Sequence, residues 1–111
     1  MVKHNKRRRV TILNLDHSKL DINLMEEIAL IIEEEIRRQL DKRIPLGRSY
    51  DADIIVSVEN KGGEIEISLD IGVLGALDDV IDYDAIVQGV IKEVSSFIEE
   101  LLRKRVGRNS Q

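Results

Sequence analysis

The sequence contains no cysteine. That removes disulfides, thiolate metal sites and a cysteine nucleophile together, and it fits a reducing interior. Aromatic residues are scarce, at 3% with no tryptophan, so the apolar material is mostly Ile, Leu and Val. No apolar run approaches the roughly 18 residues that a membrane-spanning helix requires. Positive charge is also short. Seventeen Lys and Arg stand against 21 Asp and Glu, leaving a net charge of −4 and a pI near 5.2. A general nucleic-acid binder has the opposite sign, so any such contact has to be local. The first ten residues, MVKHNKRRRV, are basic but lack the long apolar core and small-residue cleavage site of a secretory signal. The expected location is the cytoplasm.

What is present is enough for one domain. A chain of 111 residues buries roughly two-thirds of its unfolded surface, which supports a core without metal or disulfide. The charged fraction of 34%, set on an Ile-rich apolar supply, is a balance common in thermophile proteins.

The clearest pattern is DADIIVSVENKGGEIEISLDIGV, residues 51–73. Ala52, Ile54, Val56 and Val58 alternate with mostly polar partners, as do Ile65, Ile67, Leu69, Ile71 and Val73. Alternation at period two puts one apolar row on one face of each strand. Asn60-Lys61-Gly62-Gly63 between the runs suits a short hairpin connection. Upstream, VTILNL (residues 10–15) reads as a strand. Asp21 is a good helix cap, with Leu20 and Met25 at hydrophobic-staple spacing around it. Met25, Ile28, Ala29, Ile32, Ile36 and Leu40 then form one helical stripe, ended by Pro45 and Gly47. After a connection at residues 74–81, Asp82 caps a second helix. Its apolar band, Ile86 to Leu102, is wider than the roughly 100° stripe of an ordinary surface helix.

The order strand, helix, strand, strand, helix predicts an α+β fold. A right-handed crossover makes the first two strands parallel with room for one between them. The third strand has the cleanest apolar row and takes that middle place, antiparallel to both. Two helices cover one face, as in a ferredoxin-like fold lacking its last strand. The first strand is left at an open edge, a site for pairing with another chain. The expected organisation is a flexible basic N-terminus at 1–9, one α+β domain at 10–105 and a flexible tail at 106–111.

No catalytic constellation is visible, no cofactor is expected, and the chain reads as a non-enzyme. His4 and His17 have no partner by spacing for a metal. Asp78, Asp79, Asp82 and Asp84 crowd one segment and carry an alternative metal-binding reading, although Asp82 is more simply a cap and Asp84 suits the helix dipole. The glycines do not spell a phosphate loop. The outward hairpin row (Asp53, Ser57, Glu59, Glu64, Glu66, Ser68, Asp70) is acidic and lacks a ring, unlike RNA-binding sheets. Two basic clusters, Lys6-Arg7-Arg8-Arg9 and Arg103-Lys104-Arg105, are candidate phosphate contacts or solvated termini. The candidate partner surface is Val87, Ile91, Ile98 and Leu102 on the last helix, Val10 and Ile12 on the first strand, and Leu74 and Leu77 in the connection. The four helix residues equally suit packing against the first helix.

The segments VTILNL, LMEEIALIIEEEI, DIIVSVENKGGEIEISLDIGV and DYDAIVQGVIKEVSSFIEELL together resemble a family of small archaeal proteins. The arrangement is similar to the small dimerisation subunit of the KEOPS complex, which makes threonylcarbamoyladenosine in tRNA, and the family looks like a distant paralog of that subunit. The last helix of the small subunit typically carries an Arg followed by Asn-Ser. Here the helix reads AIVQGVIKEVSSFIEE, and Asn109-Ser110 stands in the tail, which fits a paralog better than an ortholog. The resemblance implies a non-catalytic accessory subunit acting by protein contacts within a KEOPS-like assembly, with indirect tRNA contact through its basic termini. Partners are then protein subunits of that assembly. The competing expectation is a self-contained homodimer pairing through its first strand.

Overall fold

The computed structural model of the chain describes residues 2–12, 21–45, 47, 50–61, 64–75 and 81–105. Five elements follow in order: β1 (Val2–Ile12), α1 (Ile22–Arg43), β2 (Asp51–Lys61), β3 (Glu64–Gly75) and α2 (Tyr83–Arg105). The strands form one sheet in the order β1-β3-β2, with β3 antiparallel to both neighbours. This is the expected α+β arrangement, with both helices on one face. α1 packs over β2, α2 packs over β1 and β3, and the helices touch each other.

The helix starts follow from their caps. The Asp21 carboxylate accepts from the Leu24 N–H at 2.8 Å, and the Asp82 carboxylate accepts from the Ala85 N–H at 3.1 Å. Each satisfies an amide that the first turn leaves without a carbonyl. Lys42 and Arg43 lie in the last turn of α1, and Arg103, Lys104 and Arg105 in the last turn of α2. Cations there suit the negative end of the helix dipole.

The core is the inner row of β3 with the facing sides of the helices. Ile65, Ile67, Leu69, Ile71 and Val73 are all buried, together with Ile28, Ile32, Ile36 and Leu40 of α1 and Val90, Val94, Ile98 and Leu102 of α2. Their counterparts on β2, Ala52, Ile54, Val56 and Val58, are only partly buried, because an edge strand has no neighbour on one side. A fully buried Ile, Leu or Val contributes about 1.5–3 kcal/mol relative to an exposed one, so β3 is the most heavily stabilised strand. The one buried polar side chain among the described residues is Gln39. Its amide donates to Glu35 at 2.9 Å and accepts from Arg43 Nε at 3.4 Å, which meets the requirement that buried polar groups be paired.

Two boundaries differ from expectation. β1 begins at Val2, so the basic stretch expected as a flexible lead-in is strand, and only positions 10–12 of the expected strand are shared with it. Residues 13–15 lie outside the described residues. The local preference of Lys and Arg for a strand is poor, but eleven residue pairs with β3 override it. β3 also runs on to Gly75, so Leu74 belongs to the strand and not to the connection. The tail at 106–111 lies outside the described residues.

Gly75 shows why β3 ends where it does. A Cβ there would lie 2.6 Å from Cζ of Tyr83, and that ring is only 2% exposed. Glycine is required so that the first residue of α2 can close over the end of the sheet. Gly75→Ala is expected to destabilise the fold by about 1–3 kcal/mol, the usual cost of overpacking, measured by urea unfolding.

Tyr50 ties the start of β2 to the end of α1 through a hydrogen bond from its hydroxyl to Asp41. Partial burial, with the Asp41 carboxylate beside it, pushes the phenol up to about 12 from its ordinary 10. A raised phenol pKa means that the folded chain holds the proton more tightly. This stabilisation is complete below pH 10 and is lost as pH rises towards 12. Tyr50→Phe should therefore show a shallower fall in melting temperature between those values than the unmodified chain.

Candidate functional site

Among the described residues β1 is an edge strand, bonded to β3 on one side only. Its pleat divides the basic run between two faces. Lys6 stands opposite Ile71 and Arg8 opposite Leu69, in the row that faces the helices. Arg7 stands opposite Asp70 and Arg9 opposite Ser68, on the outer face. There Arg7 Nε meets Asp70 Oδ2 at 3.2 Å, and Arg9 Nε lies 3.9 Å from Glu66 Oε1. Exposed pairs of this kind add little stability, but they set the charge pattern. The acidic outer row of the hairpin is offset along its β1 side by two arginines, a feature the hairpin alone does not reveal.

The inner-row cations face a groove between β1 and α2 with a volume of about 720 Å³. Lys6 and Arg8 form one wall, and Gln88, Lys92 and Ser96 form the other. These α2 residues recur at helical spacing and so share one stripe. No carboxylate lines the groove among the described residues. Gly89 also lines it, and the Arg43 guanidinium reaches over that position. A Cβ on Gly89 would lie 2.7 Å from Arg43 Nη1. A locally positive groove therefore exists on a chain whose net charge is negative. The residues of α2 that complete it escaped the sequence reading. The available signal was the period-two placement of Lys6 and Arg8 behind Val10, which predicts two cations in a row that elsewhere is apolar.

The other expected site residues separate clearly. Val87, Ile98 and Leu102 are fully buried and Ile91 is 8% exposed. They belong to the core of the single chain, so their place as a free partner surface is corrected. The wide band of α2 arises because that helix packs against the sheet and against α1 at once. Val10 and Leu74 are half-buried. The Ile12 side chain, Leu77, Asp78, Asp79 and His17 lie outside what is described, as does the side chain of His4. Asp82 acts as a cap, and Asp84 is in the first turn of α2. Among the described residues no group of three metal-ligating side chains converges.

The cations closing α2 are each matched by an acid. Arg103 pairs with Glu99 at 2.9 Å, Lys104 with Glu100 at 3.8 Å and Arg105 with Glu27 at 3.1 Å. By contrast, Lys6, Arg8 and Lys92 form no ion pair among the described residues. The two basic clusters are therefore not equivalent. No described helix is long and apolar enough to cross a membrane.

Among solved structures, the chain is similar to a crystal structure from Thermococcus onnurineus NA1, with a TM-score of 0.67 at 15% identity, covering 90% of this chain and 93% of that one. It is also similar to a de novo designed protein with a ferredoxin fold, with a TM-score of 0.53 at 23% identity, covering 96% of this chain and 77% of that one. These likenesses show the fold: α+β and ferredoxin-like. No protein-family model and no curated protein matches the chain.

Ile98→Ala separates a core role from a contact role for the α2 band. Truncating a fully buried Ile is expected to cost the isolated chain about 2–5 kcal/mol, read by denaturant unfolding without any partner present.

Proposed function

We propose that this protein is a non-catalytic interaction subunit that docks on an unlike protein partner, within a tRNA-modifying assembly of KEOPS type. The observation that carries the docking part is β1, an eleven-residue strand with a neighbour on one side only among the described residues. An edge strand has a row of backbone donors and acceptors along its outer side, which an added strand satisfies. The KEOPS part rests on the resemblance of the hairpin and helix segments to the small dimerisation subunit, together with the shared element order.

Charge favours an unlike partner over a second copy. Two β1 strands pairing across a two-fold axis would bring Lys6, Arg7, Arg8 and Arg9 of one copy beside the same run of the other. Like charges placed opposite each other on neighbouring strands are destabilising. The isolated chain is therefore expected to be monomeric by light scattering at low salt. A stable homodimer would remove the unlike-partner reading in favour of self-association.

The pairings of Arg7, Arg9, Arg103, Lys104 and Arg105 with acids leave less positive charge for direct contact with tRNA, so the contribution to the assembly is protein docking first. Tagged protein recovered gently from its native cells should bring KEOPS subunits with it. Recovery of the chain without any of them would count against this function.

A further inference from the structure

The groove beside β1 carries an inference about the partner's chemistry, and it rests on the interaction-subunit reading above. We propose that β1 and the β1–α2 groove together receive an extended polypeptide segment with acidic side chains at alternate positions, added as a fourth strand of the sheet.

Four features converge on this ligand. Among the described residues β1 has an open edge along Val2–Ile12, which recognises an extended main chain. A strand laid along that edge turns every second side chain towards the helix side of the sheet, because side chains alternate at period two. On that side it meets Lys6 and Arg8 from β1 and Lys92 from α2. No carboxylate lines the groove among the described residues, so a partner acid would find cations without displacing an existing pair there.

The position of the cations is itself unusual. Lys6 and Arg8 continue the row that on β3 is occupied by Ile71 and Leu69, both buried. A charge turned inward on an edge strand is also a means of blocking indiscriminate pairing. The two effects agree. Inward cations repel an apolar or basic strand and admit one that brings acids, which is specificity achieved by a repulsive element. Nucleic acid is the less favoured occupant. It would use the cations but not the open backbone edge, and among the described residues no aromatic side chain lines the groove for stacking.

The other candidate surfaces carry less. Ile22, Leu30 and Ile55 are exposed, but Ile55 lies on the opposite face of the sheet from the helices, so they do not form one patch. A shallow outer-face hollow beside Arg7 and Asp70 is lined by an ion pair already formed.

The test uses the full chain and a synthetic peptide in which Glu alternates with Thr, long enough to span β1. Binding is followed by amide NMR and by calorimetry. Expected results are saturable binding, slowed hydrogen exchange of β1 amides with β2 amides unchanged, and affinity weakened about tenfold between about 20 mM and 200 mM salt. The same peptide with Lys in place of Glu should not bind. Lys92→Glu, on the exposed face of α2, should weaken binding at least about tenfold while leaving the unfolding midpoint in place. Lys6→Gln with Arg8→Gln provides a second variant that removes charge without reversing it.

Binding without protection of β1 amides would overturn strand addition. Equal affinity for the Glu and Lys peptides would overturn the charge selection, and so would a Lys92→Glu variant that binds normally. Tighter binding of a single-stranded oligonucleotide to the same residues would replace the acidic peptide with nucleic acid. Failure of the peptide test leaves the co-purification result standing, because an assembly could form through another surface.

Discussion

Burial of the inner row of β3 is the constraint from which the other elements take their places. Five apolar side chains, Ile65 to Val73, are removed from water on one face of one strand. Covering them takes two helices, because one helix presents a stripe about 10 Å wide and the sheet is broader than that. α1 and α2 must then lie side by side and touch. That contact forces α2 to be apolar on two adjoining flanks, which accounts for Val87, Ile91, Ile98 and Leu102 being buried rather than available. The same burial draws β1 and β2 against β3 as flanking edges, with no described strand beyond β1.

Electrostatics are organised around this frame without contributing much to its stability. Most of the ion pairs are exposed, within one helix or across the outer sheet face. Arg37 with Glu33 and Arg38 with Glu35 are examples on α1. The hydrogen bond from Arg38 holds the Glu35 carboxyl below the usual carboxylate range, which marks a well-formed pair. What the pairs do is match several exposed arginines, and Lys104, with an acid. The few cations left over at the β1–α2 groove become more conspicuous for that reason.

Much of the fold was legible in the residues, and the parts that were not share a cause. Ala52 to Val58 and Ile65 to Val73 alternate over several residues, and Asp21 and Asp82 fill positions that physical chemistry reserves for caps. These signals are local, so reading them requires no partner. β1 is different. HNKRRR (residues 4–9) has little strand preference of its own and is a strand because β3 supplies a partner along its length. The width of the α2 band was visible, but its two explanations, core and partner surface, differ only in where α1 lies. The groove combines both difficulties. It joins an element whose extent is set by tertiary pairing to a helix stripe about eighty residues away in the chain, and Gln88, Lys92 and Ser96 look like ordinary solvent-facing positions when read alone.

The alternation of β1 has one more implication. Cations occupy four consecutive positions, so moving the strand by one residue would replace Lys6 and Arg8 beside the helices with Arg7 and Arg9, and the charge facing α2 would hardly change. Coulombic attraction therefore cannot tell the two registers apart on that side. Among the described side chains of β1, Val10 is the apolar one that such a slip would carry from the core face into solvent. The alignment of the edge, and with it the spacing at which any incoming strand meets its cations, is set by the apolar members of that row, of which Val10 is the described one, and not by the cations themselves.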